Sequence, residues 1–221
     1  MRVLWATLFI VIADQVTKVL VRTQMQYGES IPVIGDLLKW TFTENPGMAF
    51  GVELGGGDAG KLFLTVFSVV ATGLILLYLR HVRLAPFGYR MALALILGGA
   101  LGNVIDRVFY SVLWGYGPLG FGNVVDFIHI DVWSGRLPAS WPLVGDTFVS
   151  IFPIGNIADL AIIGGVVAVL TFQRAFHDHI RAAEAAVDEG EPVAVAVPVG
   201  AHDAVAESPV EAHTEPPPPS A

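Results

Sequence analysis

The chain has 221 residues, of which 54% are hydrophobic and 14% are charged, and its mean hydropathy is +0.63. This composition is too apolar for a soluble domain of this length, so it predicts an integral membrane protein. The formal net charge of −8 comes from residues 182–221, which hold acids but no Lys or Arg. Cysteine is absent, which excludes disulfides and Cys-ligated metals, and no basic region suits nucleic acid.

Four apolar segments are long enough to cross a hydrocarbon core of about 30 Å as helices. They are predicted at residues 3–22, 62–79, 89–109 and 154–173. The stretch 23–61 alternates apolar and polar residues, which predicts short strands and turns outside the membrane, and 110–153 predicts a second loop on the same side. The predicted architecture is therefore an all-α polytopic membrane protein with four transmembrane helices.

Basic residues predict the orientation of the spans. Arg2, the link 80–90, and Arg174 with Arg181 after the last span are expected in the cytoplasm, which places both termini inside. Residues 1–181 then form the membrane domain. Residues 182–221 are rich in Ala, Val, Glu and Pro without apolar periodicity, and they predict a disordered acidic cytoplasmic tail.

The charged and amide side chains of three spans are all predicted in the outer half of the membrane. Span 1 contributes Asp14, Gln15 and Lys18, span 3 contributes Asn103, Asp106 and Arg107, and span 4 contributes Asn156 and Asp159. Each set recurs at helical spacing and so shares a face of its helix. This common depth predicts one polar site near the outer surface.

Two interpretations of these charges remain open. Asp14 with Lys18, and Asp106 with Arg107, are either structural pairs or parts of the site. Asp159 differs, because no Lys or Arg lies within a turn of it, and Asp126 in the outer loop likewise lacks a local base. Two such carboxylates close together share a proton, which suits acid/base hydrolysis.

Two further patterns resemble parts of nucleotide and metal sites. Residues 55–61, GGGDAGK, have the spacing of a phosphate-binding loop, but Leu62 replaces the required Ser or Thr and a membrane span follows. His129 and Asp131 lie near Asp126, but no further His or Cys is close enough to complete a zinc site. We therefore expect neither a bound nucleotide nor a metal.

Five motifs in order carry a resemblance to a known family. They are ADQVTK (13–18), ENPGMAFG (44–51), GGALGNVIDRV (98–108), VVDFI (124–128) and GNIADLAI (155–162). With four spans in this topology, the chain resembles the bacterial lipoprotein signal peptidases (signal peptidase II), which are aspartyl proteases. The resemblance covers roughly residues 4–174.

The resemblance implies an inner-membrane endopeptidase that removes the signal peptide of a prolipoprotein. It cuts on the N-terminal side of a diacylglyceryl-modified cysteine, without metal or cofactor. The implied catalytic pair is Asp126 and Asp159. The residues implied to support the site or bind substrate are Asp14, Lys18, Asn45, Gly47, Asn103, Asp106, Arg107, Asn156 and Ala158.

The resemblance also implies that the 23–61 region forms a small extracytoplasmic β-sheet and that part of the 110–153 loop forms an extracytoplasmic flap over the site. The fold class is then an all-α polytopic membrane protein with four transmembrane helices and a small sheet. One departure concerns Gly155, which stands where the family usually has Phe before the Asn of the last motif.

Other classes of membrane protein make different demands on the sequence. A small proton-coupled transporter is the main alternative, because intramembrane Asp and Lys often mark proton paths. Such a protein is expected to show repeated halves and polar groups across both leaflets, and neither pattern is present. A structural membrane scaffold does not require two isolated acids.

Overall fold

A computed structural model describes residues 2–49, 52–53, 57–136, 148–150 and 152–188. These residues contain four long helices: α1 (Leu4–Gln24), α2 (Asp58–His81), α3 (Phe87–Leu113) and α4 (Ile157–Asp188). Each contains a stretch long and apolar enough to cross a membrane, which in α4 extends to Ala182. The four predicted spans thus correspond to four helices.

Helix α4 is longer than the predicted span. It continues to Asp188, past the predicted end of the span at 173 and past the predicted domain boundary at 181. The segment after 173 is rich in Ala, which has the highest helix propensity, so the helix continues beyond its apolar part. Residues 189–221, which hold most of the predicted disordered tail, lie outside the described residues.

The helices bury polar side chains and expose apolar ones. Asp14, Lys18, Asp106 and Asn156 are fully buried, whereas Phe9 is 70% exposed on the outside of α1. This distribution suits a bundle surrounded by lipid, where an apolar surface costs nothing and every polar group needs a partner inside.

Helix α3 lies at the centre of the bundle and packs against α1, α2 and α4. Glycine permits the closest of these contacts. A Cβ at Gly99 would overlap the carbonyl oxygen of Ala158 on α4, and a Cβ at Gly165 would lie 2.6 Å from Cγ1 of Ile96 on α3. The backbones of α3 and α4 therefore approach closely, as small residues at helix interfaces allow.

The described residues between the helices form seven short strands. They are β1 (Ser30–Ile34), β2 (Leu38–Asn45), β3 (Met48–Ala49), β4 (Val52–Glu53), β5 (Val124–Ile130), β6 (Ser134–Arg136) and β7 (Phe148–Ser150). The order β1-β2-β5 forms an antiparallel sheet, while β3 pairs with β4 and β6 pairs with β7. The predicted sheet within 23–61 is therefore completed by a strand from the second loop. Of the predicted flap region, residues 137–147 lie outside the described residues.

Strand β5 positions Asp126 beside the helix ends. Its register places Asp126 opposite Thr43 of β2. A buried apolar cluster that includes Phe42, Tyr110 and Phe127 joins the sheet to α1 and α3. The backbone N–H of Val125 also donates to Oδ2 of Asp106 at 3.3 Å, which ties the strand to α3.

Candidate active site

A fully buried lysine lies at the centre of the polar network. Lys18 Nζ contacts Oδ2 of Asp14 at 2.8 Å and Oδ2 of Asp106 at 2.7 Å, and it donates to Oδ1 of Asn103 at 3.0 Å. An ammonium group has three N–H donors, so all three are used. Gln15, in the same polar set of α1, adds a bond from Nε2 to Oδ1 of Asp106 at 2.9 Å.

The structure contains one of the two ion pairs that the sequence suggested, and it gives the other acid a different partner. Asp14 does pair with Lys18, but Asp106 pairs with Lys18 rather than with its neighbour Arg107. Consecutive residues on a helix point in different directions, so Asp106 faces α1 while Arg107 faces another side. The Arg107 guanidinium forms no ion pair with Asp106, but it interacts electrostatically with Asp126, Asp106 and Asp159.

Asp159 belongs to a capping box at the start of α4. The backbone N–H of Asp159 donates to Oδ1 of Asn156 at 2.9 Å, and the backbone N–H of Asn156 donates to Oδ2 of Asp159 at 3.2 Å. These reciprocal bonds satisfy two backbone donors at the helix N-terminus. They also hold the Asp159 carboxylate in one orientation at the positive end of the helix dipole.

Asp14 of α1 also accepts a backbone hydrogen bond from the N-terminus of α4. Oδ1 of Asp14 accepts the backbone N–H of Ala158 at 3.0 Å. Ala158 is fully buried, and a Cβ at Gly102 would lie 3.3 Å from its Cβ and 2.5 Å from Oδ2 of Asp14. Asp14 therefore joins α1 to α4, and only small residues fit where α3 passes between them.

Two asparagines connect the predicted catalytic acids. Asn156 Nδ2 donates to Oδ1 of Asp126 at 2.7 Å, and Asn103 Nδ2 donates to Oδ1 of Asp159 at 2.9 Å. Asn103 accepts from Lys18 with its other atom, so the buried ammonium is linked through one amide to Asp159. In both asparagines the amide oxygen therefore faces a donor and the amide nitrogen faces an acceptor.

Asp126 is 3% exposed on strand β5. Burial raises the pKa of its carboxyl to about 7, and the nearby negative charge of Asp159 adds to the rise. Lys18 and the hydrogen bonds from Asn156 and Asn45 oppose that rise. The carboxyl therefore exchanges its proton near neutral pH, which is the range in which a general acid or base is most effective.

Gly47 shapes the turn beside Asn45. Its backbone N–H donates to Oδ1 of Asn45 at 2.8 Å, and its φ of +114° lies in a region that favours glycine. A Cβ at Gly47 would overlap Cδ1 of Leu64 and lie 3.6 Å from Nη1 of Arg107. Glycine therefore lets this turn approach the guanidinium that faces the two acids.

An apolar groove of about 340 Å³ ends at Asp159. Its walls include Ile128, Ile130, Leu160 and Ile163, and Ile128 and Ile130 lie on the same face of β5 as Asp126 because side chains alternate along a strand. Leu160 and Ile163 are about half exposed on the outer surface of α4. The groove therefore runs from the lipid-facing side of the protein to the Asp159 carboxylate.

Gly155 forms the edge of this groove. Its carbonyl oxygen accepts the backbone N–H of Phe127 at 2.8 Å and of Ile128 at 2.7 Å, and its own N–H donates to the Ile128 carbonyl at 3.0 Å. A Cβ at this position would lie 3.0 Å from Oδ2 of Asp159. The glycine that departs from the family pattern therefore keeps space free beside an acid and leaves the capping box intact.

A further polar cluster, which the sequence patterns do not indicate, lies at the helix ends beside the sheet. Arg22 pairs with Glu44, and Glu44 Oε2 accepts from Nδ2 of Asn123 at 3.0 Å. Lys61 Nζ donates to Oδ1 of Asn123 at 3.2 Å. These residues come from four distant parts of the chain with no shared periodicity. Only Glu44 lies in a motif, ENPGMAFG, that indicates a place near the site.

The structure brings every sequence-predicted site residue into one connected region. Asn45, Gly47, Asn103, Arg107 and Asn156 lie around the two acids, while Asp14, Lys18, Asp106 and Ala158 form a buried layer behind them. Among the described residues, no three His, Cys, Asp or Glu side chains are grouped to hold a metal ion.

Comparison with known proteins gives one consistent family. The family model described as "Signal peptidase (SPase) II" matches residues 6–174. A lipoprotein signal peptidase of Amoebophilus asiaticus is 37% identical over 179 residues, covering 76% of this chain and 75% of the relative. One of Chlorobium phaeobacteroides strain BS1 is 38% identical over 169 residues, covering 76% and 92%.

Solved structures agree with the fold. A bacterial membrane enzyme determined by the in meso method at 1.9 Å resolution is 32% identical, with a TM-score of 0.54 over 77% of this chain and 90% of that one. A second such enzyme, at 2.3 Å resolution, is 29% identical with a TM-score of 0.53, covering 79% and 88%.

Proposed function

The chain belongs to the signal peptidase II family, and from this membership we propose that Asp126 and Asp159 are the catalytic pair of its peptidase reaction. The protein is a multi-pass bacterial membrane enzyme, an aspartic endopeptidase that processes prolipoproteins. The transporter alternative has no support from any relative. We further propose that the substrate carries a diacylglyceryl-modified cysteine and that the site lies near the outer leaflet of the membrane.

The hydrogen bonds of Asn156 are the main support for assigning Asp126 and Asp159 as the catalytic pair. This one side chain donates to Asp126 at 2.7 Å and accepts the backbone N–H of Asp159 at 2.9 Å. The two carboxyls, from a strand and a helix far apart in sequence, therefore have a fixed relative position. A pair held in this way can divide the two proton-transfer roles that peptide hydrolysis needs.

The environments of the two acids favour different roles. Asp159 accepts N–H bonds from Asn103 and from the backbone of Asn156, and such donors suit an ionised carboxylate. Asp126 is buried with its pKa raised to about 7, so it holds a proton up to neutral pH. Asp159 is therefore proposed as the base and Asp126 as the acid, although the pair titrates as one unit.

The reaction follows from these roles. Asp159 removes a proton from a water molecule while the water oxygen attacks the scissile carbonyl carbon, and Asp126 donates its proton to the carbonyl oxygen. When the C–N bond breaks, the leaving amine receives the proton from Asp159, and the gem-diol returns a proton to Asp126. Arg107 reduces the electrostatic cost of placing two carboxylates together.

The groove beside Asp159 supports a substrate held in lipid. Its aliphatic walls open toward the bilayer and end at the carboxylates. A diacylglyceryl-modified cysteine keeps the adjacent scissile bond at the membrane surface, which supplies proximity without a deep aqueous cleft. Basic residues lie at the opposite end of the bundle, so we propose cytoplasmic termini and a site near the outer leaflet.

Single substitutions of the two acids test the proposal. Asp126→Asn and Asp159→Asn should each reduce cleavage of a diacylglyceryl prolipopeptide by at least 10³-fold, because hydrolysis needs both proton transfers. The measurement is the mass of the product, which should begin at the lipidated cysteine. Asp36→Asn is the matched control, since Asp36 is fully exposed on a turn.

The catalytic assignment is wrong if Asp126→Asn or Asp159→Asn cleaves the prolipopeptide at nearly the normal rate, as the control Asp36→Asn is expected to do. A product cut elsewhere than before the lipidated cysteine would contradict the substrate assignment while leaving the pair intact.

A further inference from the structure

A cavity of about 470 Å³ lies at the end of the bundle opposite the catalytic pair. It is bordered by the start of α1, the end of α2, the link that follows and the start of α3. At the same end, Tyr89 of α3 stacks on Phe176 of α4 with ring centroids 4.3 Å apart. The cavity therefore belongs to the membrane surface away from the site, where peptidase chemistry does not use it.

Three arginines line this cavity: Arg80, Arg83 and Arg90. Within the described part of the chain, none of them is in an ion pair with a carboxylate. Arg90 is half-buried, and its Nε is a buried donor without a hydrogen-bond partner among the described residues. A buried unsatisfied donor is uncommon in a folded protein, and the three guanidinium groups, without carboxylate partners among the described residues, give the cavity the positive charge that an anion requires.

The remaining wall is aliphatic. Val3, Leu4, Leu79 and Leu84 line it, and Val3 and Leu79 belong to the buried core. A small soluble anion has nothing to place against this wall. A phospholipid has both parts, because its phosphate can meet the guanidinium groups while its acyl chain covers the leucines.

We propose that this cavity binds the headgroup phosphate of an anionic phospholipid. The occupant is a lipid rather than a free phosphate because the cavity lies at a helix-end level where lipid phosphates are found and is half apolar. It is anionic rather than zwitterionic because three guanidinium charges face the cavity. The lipid is thus a structural ligand of the surface opposite the active site.

Native mass spectrometry of the full chain in detergent tests this assignment. Phosphatidylglycerol, phosphatidylcholine with the same acyl chains, and glycerol phosphate are titrated separately. Phosphatidylglycerol should bind at least tenfold more tightly than either of the others. Arg90→Gln and Arg83→Gln should each weaken its binding about fivefold, as expected for one basic residue at a membrane surface.

Arg174→Gln is the matched control, because Arg174 is an exposed arginine on α4 outside the cavity. It should leave binding unchanged. Arg90→Lys keeps the positive charge and provides a second variant if Arg90→Gln does not fold, which circular dichroism would show; Arg90→Lys should weaken binding less than Arg83→Gln.

Three results would overturn the proposal. Equal weakening by Arg174→Gln and Arg83→Gln would mean that the general surface charge attracts the lipid. Equal binding of phosphatidylcholine would mean that only the apolar wall is used. Glycerol phosphate binding as tightly as phosphatidylglycerol would identify a phosphate site without a lipid.

Discussion

Replacement of Lys18 by Met is expected to destabilise the protein more than any surface substitution. Lys18, Asp14 and Asp106 are all fully buried, and the ammonium lies 2.8 Å and 2.7 Å from the two carboxylates. Methionine fills a similar volume but leaves both anions without their cation. The variant therefore separates the effect of charge from the effect of packing.

The magnitude follows from the burial of the three groups. Removing one partner of a buried ion pair costs roughly 3–5 kcal/mol, because the remaining charge is left uncompensated. That corresponds to a shift of the folding equilibrium between about a hundredfold and a few thousandfold. Asp14 and Asp106 keep their bonds to Ala158 N–H and to Gln15, which reduces the loss but supplies no positive charge.

Reversible unfolding in mixed micelles with SDS measures this effect. The double variant Lys18→Met/Asp106→Asn should recover part of the loss, since it removes one of the two unpaired anions. Lys39→Met is the matched control, because Lys39 pairs with Asp131 and the exposed Asp36 outside the membrane and should cost about 1 kcal/mol or less. If Lys18→Met cost no more than Lys39→Met, the buried cluster would not depend on its cation.

Three further predictions concern the site. Because the pKa of Asp126 is raised to about 7, kcat/KM should fall as pH rises through about 7. The stability of the wild type should also fall from about pH 4 to about pH 7, because the folded state binds the Asp126 proton more tightly than the unfolded state does. Asp126→Asn should lack this stability change, and a wild type whose stability does not depend on pH would refute the raised pKa. Gly155→Ala should lower kcat about tenfold, because its Cβ would lie 3.0 Å from Oδ2 of Asp159, whereas Gly164→Ala, which meets no atom within 4 Å, should retain normal kcat in the same peptide assay. Asp14→Asn should reduce activity only partly, because an amide oxygen can still accept the N–H at the start of α4; complete inactivity of a folded variant would place Asp14 in the chemistry.

Much of the membrane architecture was predictable from the sequence. The apolar segments matched all four helices, because a helix in lipid needs about 20 apolar residues whatever its neighbours. The grouping of Asp14, Lys18, Asn103 and Asp159 into one polar site was also predictable, since the charge pattern and the direction of each span suggest it. The structure then brings these residues into one network.

Other features depended on contacts between distant parts of the chain. The sequence suggested Asp106 with Arg107, but the helix turns about 100° per residue, so the two side chains point in different directions and Asp106 pairs with Lys18 of α1. Strand β5 was not predicted as part of the sheet, because its pairing with β2 joins residues about 80 positions apart.

The number of helical spans and the two acids without local partners could be read from the chain alone, since they follow from hydropathy and helical spacing. The way in which the acids are held depends on the tertiary structure. Asp126 owes its raised pKa to burial on a strand, Asp159 is oriented by a capping box with Asn156, and Gly155 leaves the space beside it open. Burial, amide orientation and free space are properties of packed neighbours, and no local pattern in the chain records them.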